Sequence, residues 1–250
     1  MILSPPGAVV LAYHDILPNG HEPFQYAVSL NHFRLHLDLL SRLRFAIVPL
    51  SEITRRHRDG RSLRGLATVM FDDAIIGVHQ LAISELTDRR LPWTLAVVTD
   101  RLGVEPQWWP GSRRTMTRQE LDDAVAAGAE LAVHTETHCN LTGLDDQELD
   151  TEIRRSRRRL EDWTGKAVTD VVYPGGCHTL RVRTAAREAG FEAGYSFTNG
   201  RVGHAIDPFM LPRLTMHDGM TAVPTLRSLL RPAFTWPRLA TEMLGDTEFP

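Results

Sequence analysis

The sequence predicts an α/β fold built on a parallel β-sheet, and three observations support this prediction. Apolar, β-branched segments alternate with amphipathic helical segments six or more times along the chain. No linker or change of composition divides the 250 residues, a length near the top of the single-domain range. No Gly-rich phosphate fingerprint follows the first strand, which argues against a dinucleotide-binding doubly wound sheet. The number of repeating units favours a sheet that closes into a barrel.

The first repeating units can be assigned from apolar spacing and turn residues. The apolar run at 9–14 is typical of a buried parallel strand. Ser29 or Asn31 is the expected N-cap of the next helix, in which apolar residues recur at helical spacing. A second strand is predicted at 45–48, and Ser51 is predicted to cap a short helix after it.

The remaining units follow the same alternation up to residue 198. Strands are predicted at 67–71, 93–99, 130–133, 171–173 and 195–198, and helices at 78–86, 118–127, 145–165 and 181–188. The helix at 145–165 carries one apolar face and is expected to end at Gly165. From about Arg231 the sequence is Pro-rich and irregular, which predicts a C-terminal tail at 231–250.

Composition excludes several classes of function. The formal net charge is −3, with 42% hydrophobic and 24% charged residues, so the chain has no electrostatic footprint for nucleic acid. No apolar stretch approaches the roughly 20 residues of a membrane span. We therefore predict neither a nucleic-acid nor a membrane partner. The N-terminus lacks the basic region of a signal peptide, so the chain as given is expected in the cytoplasm unless an export segment was removed.

Three short segments place polar or flexible groups directly after predicted strands, at the end of a parallel barrel where sites form. They are 71–73, 134–138 and 173–176. In the first, Asp72 and Asp73 could simply serve a strand-to-helix loop, with one of them capping the helix. Adjacent strand residues point to opposite sides, however, so one carboxylate could bind a metal while the other faces the substrate.

The second segment contains two histidines four residues apart. His134 and His138 could be unrelated imidazoles, but a loop at a strand end could also bring both onto one ion. The His-Glu-x-x-His metalloprotease signature does not match, because Thr135 follows the first histidine. With Asp73, the two imidazoles would form a set suited to Zn, Co, Fe or Ni with open coordination positions.

The third segment and three isolated residues each have two interpretations. The turn at 173–176 could be structural, or its Gly175 N–H could act as an oxyanion donor. Trp108 could stack against a sugar or take part in ordinary packing. His14 could line the rim of the site or be a buried, hydrogen-bonded histidine.

In this order and spacing, the three segments resemble the motifs of the polysaccharide deacetylase (NodB-homology) family, carbohydrate esterase family four. The family motif Thr-Phe-Asp-Asp-Gly is similar to residues 70–74, its His-Ser/Thr-x-x-His motif matches 134–138, and its motif ending Pro-Tyr-Gly resembles 173–176. Residues 11–16 and Arg213 are similar to the branch that deacetylates poly-N-acetylglucosamine. The resemblance covers about residues 9–230.

The resemblance implies a distorted (β/α) barrel of about seven parallel strands in a domain at 1–230. It also implies a metal-dependent N-deacetylase that hydrolyses the acetamide of an N-acetylated amino sugar or sugar-containing metabolite. Zinc is the first choice of metal, with Co, Ni and Fe as alternatives. The implied roles are base for Asp72, metal ligands for Asp73, His134 and His138, oxyanion donor for the Gly175 amide, and substrate contacts for Tyr173, Pro174, His14 and Trp108.

Several positions depart from the family pattern. Ala74 replaces a glycine, which crowds the turn after the metal ligand, and Gly175 replaces a tyrosine, which removes one wall of the pocket. Val172 stands where an arginine often steers the base, so Asp72 is expected to lack that partner. His217 is the candidate donor of a proton to the leaving amine, with a surface imidazole as the alternative.

Two other functions remain open on the same scaffold, since fold does not fix substrate. One is a hydrolase of cyclic or small amides. The other is a non-catalytic relative that binds carbohydrate, which is motivated by Ala74 and by the missing arginine. The sequence leaves the acyl group, the native metal and the oligomeric state undetermined.

Overall fold

A computed structural model describes residues 6–22 and 24–230, so the predicted tail at 231–250 lies outside the described residues. The described strands are β1 (Val9–Tyr13), β2 (Asp15–Leu17), β3 (Ala27–Ser29), β4 (Ala46–Ile47), β5 (Leu66–Phe71), β6 (Trp93–Val97), β7 (Ala129–Val133), β8 (Asp170–Val172), β9 (Ala193–Asn199) and β10 (Leu211–Thr215). The described α-helices are α1 (Leu30–Arg42), α2 (Leu50–Arg58), α3 (Ile83–Asp88), α4 (Arg118–Ala126), α5 (Asp146–Asp150), α6 (Ser156–Thr164), α7 (Leu180–Glu188) and α8 (Ala222–Leu230).

Seven parallel strands close into a barrel. Their order is β1, β10, β9, β8, β7, β6 and β5, and β5 pairs back with β1, with Val9 opposite Ala67. The two-residue strand β4 pairs with the first residues of β5, and β2 pairs with β3 in a separate small sheet. The prediction of a (β/α) barrel with about seven parallel strands is therefore confirmed.

Alternate residues of the barrel strands belong to two separate hydrophobic clusters, as the two-residue period of a strand requires. The outer cluster joins the strands to most of the helices, whereas the inner cluster is closed at one end by Leu50 and Ile53 of α2. The inner cluster includes Ala12, Ala96 and Ala132. Such small side chains suit a seven-stranded barrel, whose interior is narrower than that of an eight-stranded one.

A polar layer lies where α2 covers the amino ends of the strands. The Leu50 N–H donates to Thr94 Oγ1 at 3.1 Å, and the Ser51 N–H donates to Glu130 Oε1 at 3.0 Å. Ser51 does not cap this helix as predicted. The helix begins one residue earlier, after Pro49, and the Ser51 hydroxyl donates to Glu130 instead.

Other helix ends follow the prediction with local additions. Ser29 caps α1, accepting from the His32 N–H, and Gly165 ends α6 at φ 66°. The predicted helix at 145–165 contains a π-helical turn, Thr151–Arg155, between α5 and α6. No helix among the described residues combines the length and apolarity needed to cross a membrane.

Strand β10 was not predicted from the sequence. Its second residue is Pro212, which lacks the N–H of a ladder residue and argues against a central strand. The register with β9 shifts between Leu211 and Arg213, and this irregularity accommodates the proline. The strand closes the barrel against β1, so its assignment completes the ring of seven.

The buried carboxyl of Asp170 in the polar layer predicts a pH-dependent stability. Burial raises its pKa to about 7, against the hydrogen bonds from the Thr54 and Thr169 hydroxyls. An unfolded aspartate titrates near pH 4, so the folded state binds more protons between about pH 4 and pH 7. Stability from this group therefore falls as the pH rises through that window, by roughly 2–4 kcal/mol.

We expect Asp170→Asn to remove this loss. Urea unfolding at pH 4.5, 6 and 8 measures the free energy of unfolding of both proteins. The free energy of unfolding of the variant should increase relative to that of the wild type as the pH rises. Asp146→Asn is the control, because the Asp146 side chain is 91% exposed. Parallel pH profiles for wild type and Asp170→Asn would contradict the prediction.

Candidate active site

The predicted site residues meet at the carboxyl ends of the barrel strands. Ala12, Met70 and Ala132 belong to the inner cluster, so the strand period points the residues two positions later toward the same interior. Those residues are His14, Asp72 and His134, and all three are buried. Asp73 and His138 follow on the loops after β5 and β7.

The three predicted metal ligands form a compact set. Asp73 Oδ1 lies 3.4 Å from His134 Nε2 and 3.3 Å from His138 Nε2, and the ligand atoms all lie within 4.8 Å of one another. Asp73 Oδ1 is buried and has no hydrogen-bond partner among the described residues. A buried carboxylate oxygen that faces two imidazole nitrogens fits the donor set of a divalent transition-metal ion.

Each histidine presents Nε2 toward Asp73, and its surroundings fix that orientation. His134 Nδ1 lies 2.8 Å from the Val172 carbonyl, which places the proton on Nδ1 and leaves Nε2 free to bind a metal. The His138 ring stacks on Trp108, with ring centroids 4.4 Å apart and planes at 16°. Burial lowers the pKa of His138 to about 4, so its imidazole is neutral near pH 7, as a ligand must be.

Asp72 is held separately from this set by Arg213 of β10. Arg213 Nη1 lies 2.8 Å from both carboxylate oxygens of Asp72, and both side chains are buried. Burial raises the pKa of Asp72, but the charges of Arg213, His134 and His14 outweigh it and keep that pKa below its ordinary value. Asp72 is therefore ionised at neutral pH and available to accept a proton.

The expectation that Asp72 lacks an arginine partner is wrong. Val172 supplies only its carbonyl, to His134, and the guanidinium comes instead from β10, which only β1 separates from β5 in the barrel. Arg213 Nε also donates to the Ser196 carbonyl at 2.9 Å, which fixes the direction of the side chain. The contact joins residues 141 positions apart, so neither motif spacing nor local periodicity could reveal it.

Strained backbone is concentrated at the candidate ligands. Of the seven non-glycine residues with positive φ in the described chain, four lie here: Asp73 (65°), Ala74 (53°), Thr135 (66°) and His138 (65°). A left-handed conformation costs an L-residue about 1–2 kcal/mol, so such clustering marks a functional site. It also explains why the resembling motif has glycine at position 74. Ala74 keeps this conformation with its carbonyl bound to the Met116 N–H at 2.7 Å.

The turn after β8 is shaped by glycine but does not use Tyr173 as predicted. Gly175 and Gly176 have φ of 57° and 73°, and a Cβ on Gly176 would lie 2.2 Å from the Phe197 nitrogen. Pro174 is buried. The Tyr173 ring belongs to the outer cluster, and its hydroxyl donates to the Phe209 carbonyl at 3.2 Å. Its side chain therefore packs behind the barrel, and only its backbone belongs to the turn.

The two predicted histidines outside the ligand set have different surroundings. His14 Nε2 lies 3.8 Å from Asp72 Oδ2, and the ring is buried. His217 is exposed, and its Nδ1 accepts from the Gly219 N–H at 3.2 Å. Among the described contacts, none joins His217 to Asp72, Asp73 or the two ligand histidines. The structure thus brings His14 beside Asp72.

Comparison with known proteins identifies the family of the chain. Residues 60–194, more than half of the chain, match the family model described as polysaccharide deacetylase. The chain belongs to the polysaccharide deacetylase family. Members of this family are hydrolases that act on amide bonds of acetylated sugars.

Individual relatives are distant in sequence but similar in fold. YxkH of Bacillus subtilis (strain 168), named as a polysaccharide deacetylase, is 20% identical over 213 residues, which cover 85% of this chain and 72% of YxkH. The deacetylase PplD of Streptococcus pyogenes, solved in complex with acetate, superposes with a TM-score of 0.80 at 19% identity, over 92% of this chain and 100% of that one. IcaB from Ammonifex degensii superposes with a TM-score of 0.72 at 22% identity, over 90% of this chain and 100% of that one.

Aromatic side chains surround His14 and His138 in this family member. One face of Trp108 stacks on His138, so this tryptophan packs on a candidate ligand. The adjacent Trp109 meets His14 edge-on at 5.1 Å, and Tyr26 stacks on the same His14 imidazole at 5.2 Å. These rings form one wall beside Asp72.

The loop that carries both tryptophans is tied to β2 by a buried charge pair. Arg113 Nε and Nη2 lie 2.8 and 2.6 Å from the Asp15 carboxylate, which is fully buried. Gly77 makes room for this pair. A Cβ on Gly77 would lie 1.7 Å from Arg113 Nη2, 2.1 Å from Asp15 Oδ1 and 2.3 Å from the Ile16 carbonyl.

We expect Gly77→Ala to displace Arg113 and destabilise the protein by roughly 2–4 kcal/mol, through overpacking and a broken buried ion pair. The free energy of unfolding in urea measures this loss. Gly143→Ala is the matched control, because a Cβ there meets no atom of the described chain within 4 Å. Equal stability of the two variants would show that Gly77 does not shape the Arg113–Asp15 pair.

Proposed function

We propose that the protein is a metal-dependent N-deacetylase that hydrolyses the acetamide of an N-acetylated amino sugar or sugar-containing metabolite. The observation that carries this proposal is the separation of two carboxylates into two environments. Asp73 faces two imidazoles, whereas Asp72, one residue earlier, faces an arginine. A site with one carboxylate for a metal and another for proton transfer suits hydrolysis of an unactivated amide.

Asp73, His134 and His138 would hold the divalent ion, with zinc as the first choice. The unpartnered buried Oδ1 of Asp73 and the Nε2 atoms directed at it support this assignment. When bound, such an ion polarises an acyl oxygen and lowers the pKa of a water molecule. The three protein ligands leave open positions for both.

Asp72 would act as the general base. Its low pKa keeps it ionised, and Arg213 fixes the orientation of both oxygens, so the carboxylate is ready to take a proton from the attacking water. The Gly175 N–H in the turn after β8 would donate to the developing oxyanion. Arg213 also removes one motive for the non-catalytic alternative, since the base does have its arginine.

His14 is better placed than His217 to pass a proton to the leaving amine. Its Nε2 lies near Asp72 Oδ2, and burial lowers the pKa of the imidazole, so it is neutral and able to accept the proton that Asp72 collects. Releasing that proton to the amine nitrogen would complete the hydrolysis. We propose this role for His14 in place of the one predicted for His217.

Asp72→Asn should reduce kcat for acetate release by about 10²- to 10⁴-fold and leave zinc affinity unchanged, because Asp72 is a base and not a ligand. The substrates are N-acetylglucosamine oligomers, soluble N-acetyl sugar conjugates and small amides. Asp73→Asn is the contrasting variant and should lose zinc as well as activity. Full activity of Asp72→Asn, or of protein stripped by a chelator, would refute the proposal.

His14→Gln and His217→Gln separate the two candidates for proton transfer. We expect the first change to lower kcat by about 10²-fold or more, the usual contribution of general acid–base catalysis. The second change should leave kcat within a factor of about two, because substitution of an exposed residue without a catalytic role has little effect on the protein. A loss confined to His217→Gln would restore the prediction from sequence.

A further inference from the structure

The loop that carries both ligand histidines is bound from its other side by Glu152. Glu152 Oε2 accepts from the backbone N–H groups of Glu136 and Thr137, each at 2.9 Å. Its Oε1 accepts from the Thr137 hydroxyl at 2.6 Å. The two bound N–H groups lie between His134 and His138 in sequence, so this carboxylate binds the segment that joins the two ligands.

Glu152 is a buried carboxylate whose charge is balanced by hydrogen bonds alone. It is 8% exposed, and none of the ion pairs among the described residues includes it. The nearby Arg155 and Arg159 pair with Glu136 instead, at 3.3 and 3.4 Å. A carboxylate is costly to bury without a cation, and hydrogen bonds to a charged acceptor are about twice as strong as neutral ones. The three donors of the histidine loop therefore compensate its burial.

The position of Glu152 on its helix is also unusual. It lies in the π-helical turn Thr151–Arg155, which interrupts the helical segment between α5 and α6. π-Turns are rare and are found frequently at functional sites. Here the turn carries the residue that reaches the histidine loop.

The histidine loop needs such a restraint because its backbone is strained at two points. Thr135 and His138 both have left-handed φ angles, and the His138 N–H donates to Thr135 Oγ1 at 3.0 Å within the segment. The N–H groups of Thr99 and Asp100, in the loop after β6, donate to two carbonyls of the segment at 3.2 and 2.9 Å. Strained backbone persists only where the surrounding structure over-determines it. Glu152 supplies three of the hydrogen bonds that do so.

We propose that Glu152 is a positioning residue for the candidate metal centre. Glu152 holds His134 and His138 at the spacing that one ion requires and contacts neither imidazole. This inference rests on the proposed metal site. Hydrogen-bonding partners beyond the ligands typically change metal affinity by about 10- to 100-fold when they are removed. The effect of Glu152 should therefore appear in metal binding and not only in folding.

The test compares Glu152→Gln with Glu148→Gln. Both residues belong to the same helical segment and line the same cavity of about 350 Å³, but the Glu148 carboxylate accepts from the Asp145 N–H at 3.0 Å and does not reach the histidine loop. The Zn²⁺ dissociation constant of each metal-free protein is measured by competition with a chromophoric chelator. The visible absorption of the Co²⁺ form reports the ligand geometry.

We expect Glu152→Gln to weaken Zn²⁺ binding by about 10- to 100-fold and to alter the Co²⁺ spectrum, with Glu148→Gln within about twofold of wild type. Thr137→Val removes only the hydroxyl donor and should weaken binding by about threefold or more. If Glu152→Gln does not fold, the Zn²⁺ affinity of Thr137→Val tests the inference in its place.

Wild-type affinity and spectrum in Glu152→Gln, even with a lowered melting temperature, would overturn the inference, as would an unchanged affinity in Thr137→Val if the first variant does not fold. A wild-type protein that binds no zinc would instead overturn the proposed metal site, and this inference with it. The two failures are therefore distinguishable.

Discussion

The two-residue period of the strands is the constraint on which the site depends. The inward side chains of the strands pack together in the inner cluster. The inward positions that follow at the carboxyl ends therefore converge on one small volume, and His14, Asp72 and His134 occupy three of them. Polar groups from separate strands come into contact without any loop reaching across the barrel, which gives a precise arrangement on rigid elements.

That convergence places two adjacent carboxylates in a dry environment, where burial alone would favour protonation. The structure separates them by giving each a different partner. Arg213 neutralises Asp72, and the two imidazoles face Asp73, so the pKa of each carboxyl lies below its ordinary value despite burial. Two carboxylates that are adjacent in sequence are thus suited to different tasks, Asp72 to proton transfer and Asp73 to binding an ion. A single shared cation would not produce this division.

The sequence predicted the barrel and the residues brought together at its carboxyl end, because strand alternation and the short motifs around Asp72 and His134 are local signals. Arg213 was missed as the partner of the base because the two residues lie 141 positions apart in sequence and because Pro212 conceals the strand. Tyr173 was misassigned for a different reason. Val172 belongs to the inner cluster, so the strand period applied one residue further would have directed the tyrosine outward.

The remaining part of the site depends on contacts from outside the barrel. The alternation of strands directs side chains but cannot hold the left-handed residues Asp73 and His138 at its rim. The Met116 N–H donates to the carbonyl of the residue after Asp73, and Glu152 binds the loop that precedes His138. Both contacts come from segments that carry no family motif. The Met116 contact is made by a backbone N–H and so does not depend on the side chain at that position, whereas the Glu152 contact does. Because Glu152 binds the loop and not a ligand side chain, its substitution should change the affinity for an ion while the identity of the ligands, and the division between Asp72 and Asp73, is preserved.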